Sequence, residues 1–392
     1  MTTAPSQRPA GNTPAPSDMR PLSRSLDPIA GESLDGYLLR LSCRLRISPV
    51  RLARLAGCVT RPGPVIIRRR LLLDVDAQRF ARATRLSVSE ASSLAVASWA
   101  DRYPPLARSR GGPGQPIDGW AFSISHRYCP DCLAGDGSPV QQQYGGPWQK
   151  IWHLPIAFTC PRHQRFLREG CPQPHPGSQP VWRPPGWLLI AFPSAAGLHP
   201  AQCRRPLGIG GHRSACGIRL DEPGEDRLPR PSQAILDTQQ ALLALLSPQH
   251  PAQDAARTFT DLRVISALLC RSWPLGQDLM DSRLAAAVSD HVRQLNTGYH
   301  LALDRQPDSL LATAGLLTAA AAVRDSTDLQ GTLAHHVQPG VAGIPVQAWT
   351  RVLGRHQSAC SPALRQAAVP LAAGLRHAHG ILTCRDTLGV TG

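Results

Sequence analysis

Lysine is almost missing from this chain: of 42 Lys and Arg residues, only Lys150 is a lysine. Arginine, alanine, proline and glycine abound, so codon bias accounts for the choice of Arg over Lys. It does not account for 42 bases against 27 acids, a formal charge of +15 over 392 residues. That balance favours polyanions, nucleic acid first, because each neutralised phosphate releases a condensed counterion. Long apolar runs are also lacking. None reaches the roughly eighteen residues that span a bilayer, and Leu310 to Val323, the longest candidate, is Ala-rich and reads as a buried helix. The opening MTTAPSQRPAGNTPAPSDMRPLSRS has no apolar core of the secretory kind. A soluble, cytoplasmic protein with no membrane contact is expected, whose eleven cysteines stay reduced and available to metal. A phosphate-binding loop is missing too: GPGQP near Gly112 lacks the Lys-Ser/Thr that holds nucleotide and magnesium. Asp101, Asp118, Asp131 and Asp136 are scattered among turns and read as solvated loop acids rather than a nuclease cluster. No catalytic activity is expected.

What the chain does have is a cysteine-rich stretch from His126 to Cys216. It opens HRYCPDC, with Cys129 and Cys132 at C-x2-C spacing, and continues to TCPRH, with Cys160 and His163. One tight turn presents two sulfurs to one metal, and a C-x2-H pair closes the tetrahedron that structural zinc prefers. The separation of the two halves suits a zinc ribbon or knuckle. Cys171, His175, Cys203 and Cys216 are a second candidate set. The alternative is a cluster of free thiols, but two paired spacings rarely coincide. Four closed ligands point to structural rather than catalytic zinc. Trp148, Trp152, Phe158 and Phe166 surround the second half of the first site. They read as the small core beside the metal, with base stacking as the other reading.

The length allows about two or three domains. Residues 1–27 are Pro, Ser, Thr and Ala without periodicity and are expected to be disordered. Residues 28–107 read as a helical, helix-turn-helix-like domain. Leu34, Leu38, Leu41 and Leu45 share one helical face. Ser48-Pro49 opens a second helix ending at Gly57. Asp76 to Thr84 predicts a third, and the capping box Ser87 to Glu90 a fourth, running to about Ala100. From Arg40 to Arg85 there are twelve arginines and two acids, Asp74 and Asp76. A solvated face mixes signs, so this bias marks a DNA-facing surface, with a solubilising loop as the alternative for Arg68, Arg69 and Arg70. Arg108 to Gly119 reads as a linker. Residues 120–220 form the zinc module, and residues 231–385 an α-helical bundle. Cys270, Cys360 and Cys384 read as buried small hydrophobes. His335-His336 and His377/His379 are pairs without a nearby third ligand. The fold class is therefore mainly α.

The order ESLDGYLLRLSCR, a helical segment, HRYCPDCL, W-x3-W before FTCPRHQRFL, and then CPQP resembles the TniQ family. The resemblance covers roughly residues 27 to 220; TFTDLRVISALL is a softer match to a helical continuation. It implies a target-selection protein of transposons, built from helix-turn-helix and zinc-knuckle parts without catalytic chemistry. Such proteins bind target DNA, or an RNA-guided effector complex already on it, and recruit an AAA+ ATPase that brings the transposase. By resemblance, Cys129, Cys132, Cys160 and His163 hold the first zinc. The family often continues with a second C-x2-C, but here Pro174 stands at the expected cysteine and His175 follows. His175 would complete the second site with Cys171, Cys203 and Cys216; His212 is the rival ligand, and loss of that metal the alternative. Arg44, Arg46, Arg51 and Arg54, with Arg68 to Arg70, are the expected DNA contacts. Oligomerisation is open. The competing readings are a sequence-specific DNA-binding transcriptional regulator without a transposon partner and a protein-interaction scaffold whose charge is incidental.

Overall fold

A serine before a run of helix formers satisfies an amide that the first turn leaves without a partner, and this device starts five of the described helices. The computed structural model describes residues 21–58, 77–109, 117–173, 196–207, 214–222, 228–297, 306–338 and 352–371. In α1, Leu34–Leu45, the Ser33 side chain accepts from the Gly36 amide, and Arg46 at φ 52° turns the chain out of the helix. Ser48 caps α2, Pro49–Leu55, with Pro49 in its first turn. α3 is Ala77–Thr84 and α4 Val88–Ser93. Both halves of the Ser87/Glu90 capping box form.

The fourth helix does not reach Ala100. It ends at Ser93, and a 3-10 turn, Val96–Trp99, follows. Ser93 Oγ donates back to the Glu90 carbonyl, a local bond that competes with helix propagation. The Leu94 carbonyl then accepts from the Leu34 amide at 3.0 Å, which fixes the break against α1. A short α5, Pro104–Arg108, closes this part.

Three two-stranded ladders occur among the described residues, all antiparallel. β1 (Arg127–Tyr128) pairs with β4 (Arg168–Glu169), β2 (Thr159–Cys160) with β3 (Arg165–Phe166), and β5 (Pro206–Leu207) with β6 (Ser214–Ala215). Between β1 and β2 lie α6, Pro130–Ala134, and α7, Pro139–Tyr144.

Helices that follow among the described residues include α8 (Gln233–Leu245), α9 (Ala252–Arg271), α10 (Ser282–Thr297), α11 (Leu310–Arg324), α12 (Leu329–His336) and α13 (Pro362–Ala367). α11, apolar nearly all round, packs against both α9 and α10. A helix without a polar face belongs in a core, as its sequence predicts. No described helix is long and apolar enough to cross a membrane. Cys270 and Cys360 are buried, as read from sequence; Cys384, His377 and His379 lie outside the described residues.

The predicted linker needs correction. Its described end, Ile117 to Gly119, holds Asp118, whose carboxylate is 8% exposed and meets Arg263 of α9 at 2.8 Å and Arg108 at 2.7 Å. Burial opposes ionisation of Asp118, but Arg263 outweighs it with help from Arg108 and holds the carboxyl below its ordinary range. A solvated loop acid was the sequence expectation. The acid is instead one of the ties between the first helices and α9. Beside it, Tyr103 donates to the Trp120 carbonyl at 2.7 Å and meets Phe259 edge-on at 4.9 Å.

Candidate metal centres and the basic surface

Cys129 follows β1 directly and precedes α6, and Cys132 lies in the first turn of α6, where Pro130 occupies the first helical position. Cys160 ends β2, and His163 sits in the turn to β3, where Gln164 adopts φ 48°. Two knuckles thus aim four donors at one point. Nδ1 of His163 is 3.3 Å from Sγ of Cys129, 3.3 Å from that of Cys132 and 3.4 Å from that of Cys160. The Cys132 and Cys160 sulfurs are 3.6 Å apart. Zn–S bonds of about 2.3 Å and Zn–N bonds of about 2.0 Å in a tetrahedron give edges of about 3.8 Å for S–S and about 3.5 Å for S–N. The donor set and its spacing fit zinc.

Three thiols in one cluster cannot all ionise without a cation. Hydrogen bonding with Cys129, then with Cys160, drives the Cys132 thiol far up. The bonds that Cys129 and Cys132 give to Cys160 pull its thiol down to about 3. Around the cluster, Arg165 donates to Asp131 at 2.6 Å and braces one knuckle against the other. Gly146 is required where it stands: a Cβ there would lie 1.8 Å from the Cys132 carbonyl oxygen.

Two buried residues that sequence reasoning missed shape this framework. Arg127 donates to the Pro155 and Ala157 carbonyls at 2.7 and 2.8 Å and pairs with Glu169 across the β1/β4 ladder. Gln239 of α8, fully buried, accepts from the Phe158 and Thr159 amides at 2.7 and 2.9 Å and donates to the Ile156 carbonyl at 3.1 Å. The strand that delivers Cys160 is therefore held from a helix some eighty residues away. The signal was present in the sequence: Ile235, Gln239 and Leu242 fall on one helical stripe, and a glutamine there needs a buried partner.

Cys171, Cys203 and Cys216 form a second cluster, each offering a sulfur within 4.8 Å of the others. The Cys171 and Cys216 sulfurs are 3.9 Å apart, close to the zinc S–S edge. β4, which pairs with the strand leading into Cys129, runs directly on to Cys171, so the two clusters share a ladder. His175 and His212 lie outside the described residues, as do Arg68, Arg69 and Arg70. Trp148, Trp152, Phe158 and Phe166 are all buried, and Trp148 meets Trp152 edge-on at 6.1 Å. Their faces pack the core and do not stack on bases.

The first helices sit directly on this module. The Ser33 amide donates to the Trp148 carbonyl at 2.8 Å and the Lys150 amide to the Gly31 carbonyl at 2.8 Å. A Cβ on Gly36 would come within 2.9 Å of the Trp148 Cβ, so α1 lies as close as glycine allows. Glu32 and Arg40 form a buried ion pair at 2.5 Å behind that seam. Arg46, Arg51 and Arg54 point to solvent from the end of α1 and from α2. Arg44 is half-buried, with the Tyr144 hydroxyl 3.4 Å from its guanidinium.

These residues fall within a segment that a family model recognises. Residues 23–167 match the TniQ family. The match contains α1 to α5 and all four donor residues of the first cluster, and it stops before Cys171, Cys203 and Cys216. A comparison with curated proteins finds no match.

Proposed function

We propose that this chain is a non-catalytic target-selection adaptor of a transposition system. It binds DNA through arginines of its first helices and presents its C-terminal helices to an AAA+ ATPase that brings the transposase. One observation carries this reading: within the TniQ match, four donors spaced for structural zinc lie in the module on which α1 packs through Trp148, and the exposed Arg46, Arg51 and Arg54 lie at the end of α1 and on α2. Zinc supplies a cross-link between the two knuckles. Cys129, Cys132, Cys160 and His163 hold it in the first centre; Cys171, Cys203 and Cys216, with His175 as the fourth ligand, hold it in the second.

The chain's own residues do the rest. Trp148 and Gly36 set the closeness of helix to module, and Glu32 with Arg40 fixes the approach to α1. Arg51 and Arg54 then neutralise phosphates, a term that carries affinity but no sequence information. The three-part division, with a helix-turn-helix-like region before residue 108, a zinc module to about residue 220 and a helical docking region from residue 231, belongs to this proposal.

The test is a selection of fragmented genomic DNA by the zinc-loaded chain at two salt concentrations, followed by sequencing. A short sequence enriched at both salts is the expected result and means direct readout. Binding that is uniform and vanishes with salt would place target choice in a partner. Absence of DNA binding at the lower salt overturns the proposal.

A further inference from the structure

The basic excess of this chain stops where the last helices begin. Residues 1–230 hold 30 Lys and Arg against 16 Asp and Glu, whereas residues 231–371 hold ten of each. No net charge draws this second part to phosphates. It carries instead a groove of about 400 Å³ between α8, α9 and α11, outside the TniQ match.

The groove has an apolar floor and an acidic edge. Leu242 and Leu245 of α8, Leu262 of α9 and Ala321 of α11 line it. The lining residues of α8 recur at three- and four-residue steps from Asp237 to Leu245, a stripe about 12 Å long. Asp237 and Asp325, both exposed, stand among them. Arg324 also lines the groove, but its guanidinium is engaged on three sides. It bonds Asp325 at 2.6 Å and the Thr258 hydroxyl at 3.1 Å, and its Nε lies 3.7 Å from Asp261. Asp237 accepts from Gln233, a neutral donor, at 2.7 Å and keeps its charge at the groove edge. α11 ends at Arg324, so the partial negative charge of a helix C-terminus adds to that of the carboxylates. A phosphate is repelled here, and a cation beside an apolar group is favoured.

Two of the walls are tied to the rest of the molecule. Gln239 fastens α8 to the strand that delivers Cys160, and Arg263, next to Leu262, ties α9 to Asp118. A groove built on such walls binds with little ordering cost on its own side.

We propose that this groove docks a cationic amphipathic helix of a protein partner. One large apolar side chain seats on Leu242 and Leu262, and a Lys or Arg one turn away pairs with Asp237. This deepens the adaptor reading, in which the last helices meet a protein, and rests on it. A second copy of this chain is the competing occupant.

The probe is a displayed library of helix-forming peptides of about 16 residues, somewhat over four turns, panned on the zinc-loaded full chain. Enriched peptides should carry an apolar residue with Lys or Arg three or four positions away. Ala241 is exposed and lines the groove, so Ala241→Trp obstructs it without entering the core. It should weaken binding of the leading synthetic peptide by about tenfold or more, roughly 1.4 kcal/mol, with zinc content and urea midpoint unchanged. Asp237→Asn should weaken it about threefold, the scale of one exposed ion pair. Enrichment of acidic or uncharged peptides, or binding indifferent to Ala241→Trp, overturns the proposal. A concentration-dependent dimer that Ala241→Trp dissolves would give the groove to a second copy and overturns it too. DNA selection by Ala241→Trp tests the adaptor reading separately, since that reading fails only if the parent chain binds no DNA.

Discussion

Replacing Gln239 by leucine removes three hydrogen bonds without removing volume. The side chain is fully buried and serves the Phe158 amide, the Thr159 amide and the Ile156 carbonyl. Leucine fills the space but accepts and donates nothing. A buried group left without a partner costs about 1–3 kcal/mol, so three of them give about 3–5 kcal/mol once some water entry is allowed for. This loss falls on the two residues that precede and begin β2, which carries Cys160. The variant should therefore lower the urea midpoint of the zinc-loaded chain and also speed metal release to a chromogenic chelator. The two readouts separate a local effect on the centre from a global one on the helices. A shift under about 1 kcal/mol with an unchanged release rate would refute the argument that α8 holds the strand carrying Cys160.

Further expectations concern the first centre, the basic face and a buried acid. Cys129→Ser should lose one equivalent of zinc and, with it, DNA binding; a soluble, metal-depleted variant that binds DNA normally would separate the two. Arg51→Ala with Arg54→Ala should weaken DNA binding and reduce the slope of log affinity against log salt by about 2, near 0.9 per lost phosphate contact; an unchanged slope moves the footprint elsewhere. Asp35, in the first turn of α1, has its carboxyl raised to about 7 by burial, with His153 Nε2 at 3.7 Å. The native state then holds that proton at a pH where the unfolded chain has lost it, so stability falls as pH rises toward 7 and beyond. From pH 6 to pH 8 the loss is about 1.4 kcal/mol. Asp35→Asn should remove this slope from the urea midpoints, and parallel slopes in the two proteins would rule it out.

Short-range chemistry was legible in the sequence. The Ser48-Pro49 start, the Ser87/Glu90 box and the Ala-rich α11 all form where local rules place them, because caps and periodicity act within one or two turns. The convergence of Cys129, Cys132, Cys160 and His163 was legible because each knuckle is encoded by a tight spacing. Pairings between ordinary residues far apart were not. Asp118 gave no sign of Arg263, nor Gln239 of the Phe158 amide, since periodicity reveals a buried face but not what faces it. The fourth helix was overrun because a capping box marks a start and carries no information about length.

The lone lysine has a consequence of its own. Lys150 lies over the Trp99 ring, with its ammonium 4.4 Å from the ring centre and 2.8 Å from the Ser93 carbonyl, and burial lowers its pKa to about 8. Amine-directed reagents thus meet one side-chain target in the whole sequence, and it sits under the seam between the first helices and the module below them. Its acylation rate becomes a clock for the parting of that seam, readable by intact mass in a mixture with DNA or with partner proteins, with no reporter to engineer.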